Sequence, residues 1–208
     1  MQKDFSQLAT DEVIQKTIVA LQANGVDAEV VTTGEEAKQK VLQLIPKGAE
    51  VFTLTSVTTK SIGLAEELDN SGKYESVRNK LNTLDRATQG REMQKLGAAP
   101  EYAVASVHAV SEDGHVFIAS NTGSQLPADV YGAEHVIWIV GTQKIVKDNA
   151  EAEKRIYEYI LPQESVRLRA QYNLPDTVDS FVSKLLIINR EVTKGRIRLI
   201  FVKEQLGF

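Results

Sequence analysis

The chain has 208 residues, a net charge of −4 and a pI near 5.5, with 42% hydrophobic and 25% charged residues. That length and balance suit one ordered domain, which buries on the order of 70% of its unfolded surface, and the acid excess argues against nucleic acid as the main partner. Cysteine is absent, which excludes a disulfide, a thiolate nucleophile and a cysteine-held zinc or iron–sulfur site within the chain.

The N-terminus has no apolar run of the signal-peptide kind, and no stretch approaches ~18 consecutive apolar residues, so no membrane segment is expected and the cytoplasm is the default location. Apolar positions then recur at Ile14, Ile18 and Leu21, one face of a helix that Asn24-Gly25 ends. Asp27 to Thr32 reads as a strand. Thr33-Gly34-Glu35-Glu36 has the spacing of a capping box, and the helix it opens carries Ala37, Val41, Leu44 and Ile45 before stopping at Pro46-Lys47-Gly48. Ala49 to Leu54 is a second buried strand, and Ile62 to Leu68 a further helix. This alternation predicts a parallel sheet with helices on its faces and right-handed crossovers.

Asn70-Ser71-Gly72 breaks the chain, and Arg78 to Leu96 reads as one charged helix. Tyr102 to Val110 and His115 to Ser120 frame Ser111-Glu112-Asp113-Gly114, a hairpin signal that predicts an antiparallel pair inside the otherwise parallel sheet. Val136-Ile137-Trp138-Ile139-Val140 is an unbroken apolar run, as in a central strand covered on both faces. Asp148 to Glu151 opens a helix that Pro162 interrupts. Residues 172 to 183 read as a long loop, followed by strands at Lys184 to Asn189 and Arg196 to Lys203. A single domain is expected over residues 1–208, with 1–48 as an N-terminal helical and βα portion. The apolar C-terminal segments, Ile200 to Val202 and Leu206 to Phe208, suit packing into the chain's own core, or docking a partner.

Three predicted strands run into loops of small polar residues without a carboxylate. They are Thr55-Ser56-Val57-Thr58-Thr59-Lys60, Asn121-Thr122-Gly123-Ser124-Gln125 and Gly141-Thr142-Gln143-Lys144. In an open α/β sheet, ligands collect at the carboxyl ends of strands. Hydroxyls, amides, glycines that admit close backbone approach and two lysines make these loops a candidate cradle for an anion. Its residues are Thr58, Thr59, Lys60, Thr122, Gly123, Ser124, Gln125, Gln143 and Lys144. Each loop also has a plainer reading, in which Ser and Thr cap helices and the lysines are solvated.

Of the three histidines, His108 lies in a strand beside these loops and is the candidate general acid–base. His108 and His115, on either side of the predicted hairpin, are a lone pair with no nearby carboxylate run, so no metal is expected, and His135 ends a helix or starts a strand. Arg91, Arg155, Arg167 and Arg169 read as solvated helix faces. No Walker loop and no Gly-x-Ser-x-Gly elbow is present.

Several segments together resemble the LUD-domain family of lactate-utilisation proteins. They are Val107-His108-Ala109-Val110, Ala119 to Gln125, Tyr131-Gly132-Ala133 with Val136 to Val146, Lys184 to Glu191, Gly195-Arg196-Ile197 and Glu204 to Phe208. The resemblance covers roughly residues 50 to 208. It implies a Rossmann-like, mostly parallel α/β sheet similar to the sugar-phosphate isomerase, CoA-transferase and folate cyclo-ligase group. It also implies an accessory or small-molecule-binding role in oxidation of lactate to pyruvate, beside iron–sulfur and second LUD-type partner subunits. No cofactor is expected in this chain itself, since the cysteine-rich segment of larger members is missing. A homo-oligomer is left open. The alternative is a stand-alone isomerase, acyl- or CoA-transferase, or folate cyclo-ligase-type enzyme acting on a phosphate- or carboxylate-bearing substrate.

Overall fold

The computed structural model describes residues 4–208. Among the described residues, ten strands form two sheets. Six make a wholly parallel sheet in the order β1 (Asp27–Val31), β10 (Ile197–Val202), β7 (His135–Gly141), β4 (Tyr102–Ala105), β2 (Glu50–Thr53) and β3 (Glu75–Ser76). The other four make a smaller mixed sheet in the order β8 (Ile145–Val146), β5 (Ala109–Ser111), β6 (Val116–Ser120) and β9 (Lys184–Ile188).

The predicted hairpin forms: β5 and β6 pair antiparallel, and Gly114 closes their turn at a φ of 84°. Its place differs from the expectation, because it belongs to the second sheet. Tyr102 to Val110 is two strands, and the chain leaves the parallel sheet across Ser106-Val107-His108.

Alternation within the strands shows how the layers stack. On β7, Val136, Trp138 and Val140 face a core shared with the second sheet and with helix α1 (Asp11–Ala23). Ile137 and Ile139 face the opposite core with α2 (Gly34–Leu44) and α4 (Leu64–Asn70). On β6, Phe117 and Ala119 point away from the parallel sheet into a third cluster with Phe5, Ala152, Ile156 and Ile160. The order of layers is therefore helices, parallel sheet, mixed sheet, helix. A strand that feeds two cores must be apolar on both faces, which is why β7 and β10 carry no polar alternation.

Helix starts follow the predicted caps. The Thr33 hydroxyl accepts from the Glu36 amide at 3.2 Å, while the Glu36 carboxylate accepts from Thr32 at 2.8 Å. The predicted helix 78–96 is two, α5 (Val77–Asn82) and α6 (Gly90–Ala98), because the Asp85 carboxylate takes the Ala87 amide and the Thr88 hydroxyl into a turn. Pro162 does not break its helix. It sits in the first turn of Leu161–Tyr172, which continues from Asn149–Lys154 through a wide π-helical segment, Arg155–Ile160. The C-terminal strand and Leu206 are buried in the protein's own core.

The core holds one isolated acid. Asp129 is 1% exposed and accepts the Trp138 indole N–H at 3.0 Å. Burial pushes its carboxyl up to about 7, against the weaker opposing pull of the indole bond and Arg196. The folded state therefore holds a proton that the unfolded state releases above the ordinary value of 3.8, and stability falls as pH rises from there toward 7. Asp129→Asn removes this slope. Denaturant midpoints are expected to exceed wild type at pH 5 and by a wider margin at pH 8; a midpoint reduced at both pH values contradicts the assignment.

Candidate functional site

The carboxyl ends of β2, β4 and β7 open onto a cleft of about 310 Å³. The break in sheet order that leads β4 into β5 leaves this gap. One wall is polar and comes from Ser56, Thr58, Ser106, His108, Ser120 to Thr122, Ser124, Gln125 and Lys144. The facing wall is largely apolar, with Ile156, Ile160, Leu161 and Leu168 from the long helix, Phe181 and Val182 from the loop after it, and Phe208 at the C-terminus.

Lys144 joins the polar wall together. Gly141 ends β7, and a 3-10 turn over Thr142–Lys144 carries the lysine across the strand ends. Its Nζ donates to Thr58 Oγ1 at 3.1 Å, Ser106 Oγ at 3.1 Å and the Val107 carbonyl at 3.2 Å. It is 3% exposed and has no carboxylate partner. Burial, then the charge of Arg155, pulls its ammonium down to about 7.

Thr58 stands in the first turn of a short helix, Val57–Ser61, capped by Ser56, whose hydroxyl accepts from the Thr59 amide at 3.2 Å. The Thr58 hydroxyl donates onward to the Leu206 carbonyl at 3.0 Å. The Gln143 amide donates to the same carbonyl at 3.0 Å, so the C-terminal segment is clamped against the cleft.

His108 sits at the point where the chain changes sheets. Its Nδ1 accepts from the Ala119 amide at 3.2 Å, which places the proton of the neutral ring on Nε2. Burial, then Lys144 and Arg155, lowers its pKa to about 3, so the ring is neutral at physiological pH. The loop after β6 is held by Ser120, whose hydroxyl accepts from the Gly123 amide at 2.8 Å and donates to Gln125 at 3.0 Å. Thr122 and Ser124 bond each other at 3.1 Å. The carboxylate in the lining, Glu164, is bound twice by Arg167, at 2.7 and 2.6 Å.

Of the residues predicted from sequence, Thr58, His108, Thr122, Ser124, Gln125 and Lys144 meet in this cleft. Four do not line it. Thr59 is buried, and its hydroxyl bonds the Ser56 carbonyl. Gln143 is buried and holds the C-terminus. Lys60 lies on a shallow neighbouring surface with Ser61, Arg167 and Gln171. Gly123 turns the loop at a φ of 84°, its Cα close against the Lys184 side chain.

The sequence reading passed over Ser106 and misplaced Arg155. That guanidinium is 0% exposed, not solvated. It lies 5.1 Å from the Tyr159 ring and 5.9 Å from the Phe5 ring, and among the described residues none of its three nitrogens has a hydrogen-bond partner. Burial lowers its pKa to about 10, leaving it charged. A signal was available: Arg155 is three residues after Ala152 and four before Tyr159, on the helix's apolar stripe. Among the described residues no group of three or more His, Asp or Glu converges as a metal site, and no helix is long and apolar enough to cross a membrane.

A parallel sheet with a ligand-sized cleft at its carboxyl edge defines an α/β protein of the Rossmann-like kind. The LUD domain family model matches residues 14–202, so the chain belongs to the LUD-domain family. The match begins upstream of the segments that carried the resemblance. A DUF162 family protein from Deinococcus radiodurans aligns over 94% of this chain and 98% of its own, with a TM-score of 0.53 and 11% identity, a likeness of fold. Ribose 5-phosphate isomerase A from Neisseria gonorrhoeae aligns over 57% of this chain and 56% of its own, with a TM-score of 0.32 and 15% identity. The eIF2B β subunit from Chaetomium thermophilum aligns over 57% and 44%, with a TM-score of 0.39 and 12% identity. No curated protein gives a significant match.

Proposed function

We propose that the cleft binds a small organic anion, and that the protein serves as an accessory, ligand-binding component of lactate or related organic-acid utilisation. The observation that carries this reading is the electrostatic make-up of the lining. Lys144, several hydroxyls and the His108 ring line the space, while the Glu164 carboxylate is neutralised by Arg167. The buried Arg155 adds a fixed positive charge whose field reaches Lys144 and His108. In a site of low polarity, such a charge is felt more strongly than in water. The opposite wall of Ile156, Ile160, Leu161 and Phe181 suits the hydrocarbon part of the same ligand.

The association with lactate rests on family membership. Within this reading the protein acts in the cytoplasm beside iron–sulfur and second LUD-type subunits, which supply the electron transfer that a cysteine-free chain cannot carry on thiolate-held clusters. Isothermal titration with lactate, pyruvate, inorganic phosphate and phosphate esters tests the proposal. One-site binding of at least one of these anions at up to millimolar concentration is expected. Folded protein that binds none of them contradicts it.

A further inference from the structure

We propose that Lys144 is a nucleophilic amine that forms an imine with the carbonyl carbon of a 2-oxo acid or anionic aldehyde held in the cleft. This deepens the anion-binding reading and rests on it, since the anionic group is what would seat the carbonyl against the lysine.

The argument is one of hydrogen-bond accounting. Thr58 gives its own hydroxyl hydrogen to the Leu206 carbonyl, so toward Lys144 it acts as an acceptor. The Val107 carbonyl is an acceptor by nature. These two partners use both hydrogens of a neutral amine. In the ammonium the third hydrogen goes to Ser106 Oγ at 3.1 Å; in the amine that position carries the lone pair, toward which a rotatable hydroxyl can turn its own hydrogen. Ser106 is part-exposed and lines the cleft, whereas Thr58 is buried. The lone pair is therefore directed toward the side from which a ligand arrives.

The surroundings favour the amine over the ammonium. No carboxylate touches Nζ, whose partners are two hydroxyls and a carbonyl. The Arg155 nitrogens have no hydrogen-bond partner among the described residues, and a second buried cation whose charge reaches Lys144 is electrostatically costly. Desolvation acts in the same direction and brings Lys144 to about 7. A desolvated lysine next to another cationic group is a recurrent way to obtain a nucleophilic amine at neutral pH.

The reaction balances without a co-reactant. The amine lone pair forms a C–N bond as the carbonyl π bond breaks to give a carbinolamine. The C–O bond then breaks, and the oxygen leaves as water with the two hydrogens that began on Nζ. Ser106, whose hydroxyl adjoins the nitrogen and opens on the cleft, is placed to pass these protons.

The test is reductive trapping. Folded wild-type protein is incubated separately with pyruvate, glyoxylate and glyceraldehyde 3-phosphate, reduced with borohydride, and analysed by intact mass and peptide mapping. Saturable addition of one reduced adduct to Lys144 with at least one probe, absent in Lys144→Met, is the expected result. No adduct, or adducts spread over exposed lysines such as Lys60, overturns the proposal. Calorimetry with inorganic phosphate, which has no carbonyl carbon, separates the two readings. Phosphate binding without a Lys144 adduct defeats the imine and leaves the anion site standing; loss of both defeats both.

Discussion

Lys144→Met weakens anion binding on the order of 10- to 100-fold while leaving the protein folded, with stability at pH 6 equal to or above that of wild type. The first half follows from the position of Nζ, which bridges Thr58, Ser106 and Val107 at the head of the cleft. A hydrogen bond to a charged group contributes about 1.5–3 kcal/mol, so its loss weakens binding on the order of 10- to 100-fold. The second half follows from the sign of the pKa shift. Burial and Arg155 lower the lysine from 10.5 to about 7. Between those values the unfolded chain holds a proton that the folded protein lacks, so wild-type stability rises with pH across that window. As pH falls toward 7 that advantage is lost, and the folded state must accommodate a buried ammonium. Methionine has similar length and no charge, so it removes the slope, against the cost of leaving the Val107 carbonyl without the lysine. Binding is read by calorimetry and stability by urea unfolding at pH 6 and pH 9. A variant that binds anions as wild type does contradicts the role given to Lys144.

Gly141→Ala is expected to dislodge the C-terminal segment from the edge of the cleft. Gly141 has an ordinary φ of −62°, so conformational freedom is not the reason for glycine here. Close approach is. A Cβ at this position would stand 2.1 Å from Gln143 Oε1, 2.7 Å from the Glu204 carbonyl and 2.8 Å from the Leu206 amide. Two of those atoms are backbone and cannot rotate away. The added methyl must push the C-terminal segment off the strand end, which breaks the clamp from Gln143 and Thr58 to Leu206. Overpacking of this kind costs about 1–3 kcal/mol. The variant is expected to show a lower urea midpoint, together with faster amide exchange in residues 204–208. An unchanged midpoint would mean that the segment is not held as described.

The parallel sheet was legible in the sequence because a strand buried on both faces has no choice but to be apolar throughout, as Val136 to Val140 are. The hairpin was legible because Asp113-Gly114 supplies the turn chemistry that two adjacent strands need. The second sheet was not legible. Ser106-Val107-His108 is short and contains an apolar residue, so it passes for the middle of one strand when only periodicity is consulted. Which way a chain leaves a sheet is decided by packing between layers, and that information is not local.

The site was half legible for a similar reason. Strand ends rich in hydroxyls identified the loops around Thr58, Ser124 and Lys144, and the cleft brings those loops together. Sequence does not tell which member of Thr58-Thr59-Lys60 faces inward, because that depends on the start of a five-residue helix capped by Ser56. Gln143 and Lys144 are adjacent and both polar. The 3-10 turn aims one at the C-terminus and the other into the strand ends. Arg155 was misread because an arginine in a charged helix is ordinarily solvated; its burial comes from the mixed sheet packing onto that helix, with Phe5 and Tyr159 providing its aromatic contacts.

The most direct test of the anion cleft is an amide chemical-shift map of isotope-labelled protein titrated with pyruvate and, separately, with inorganic phosphate. The account predicts saturable shifts concentrated at Ser56, Thr58, Ser106 to His108, Asn121 to Gln125 and Lys144, and their marked weakening in Lys144→Met. Shifts confined to exposed lysine-bearing surfaces, or no saturable shift with either anion, would contradict it.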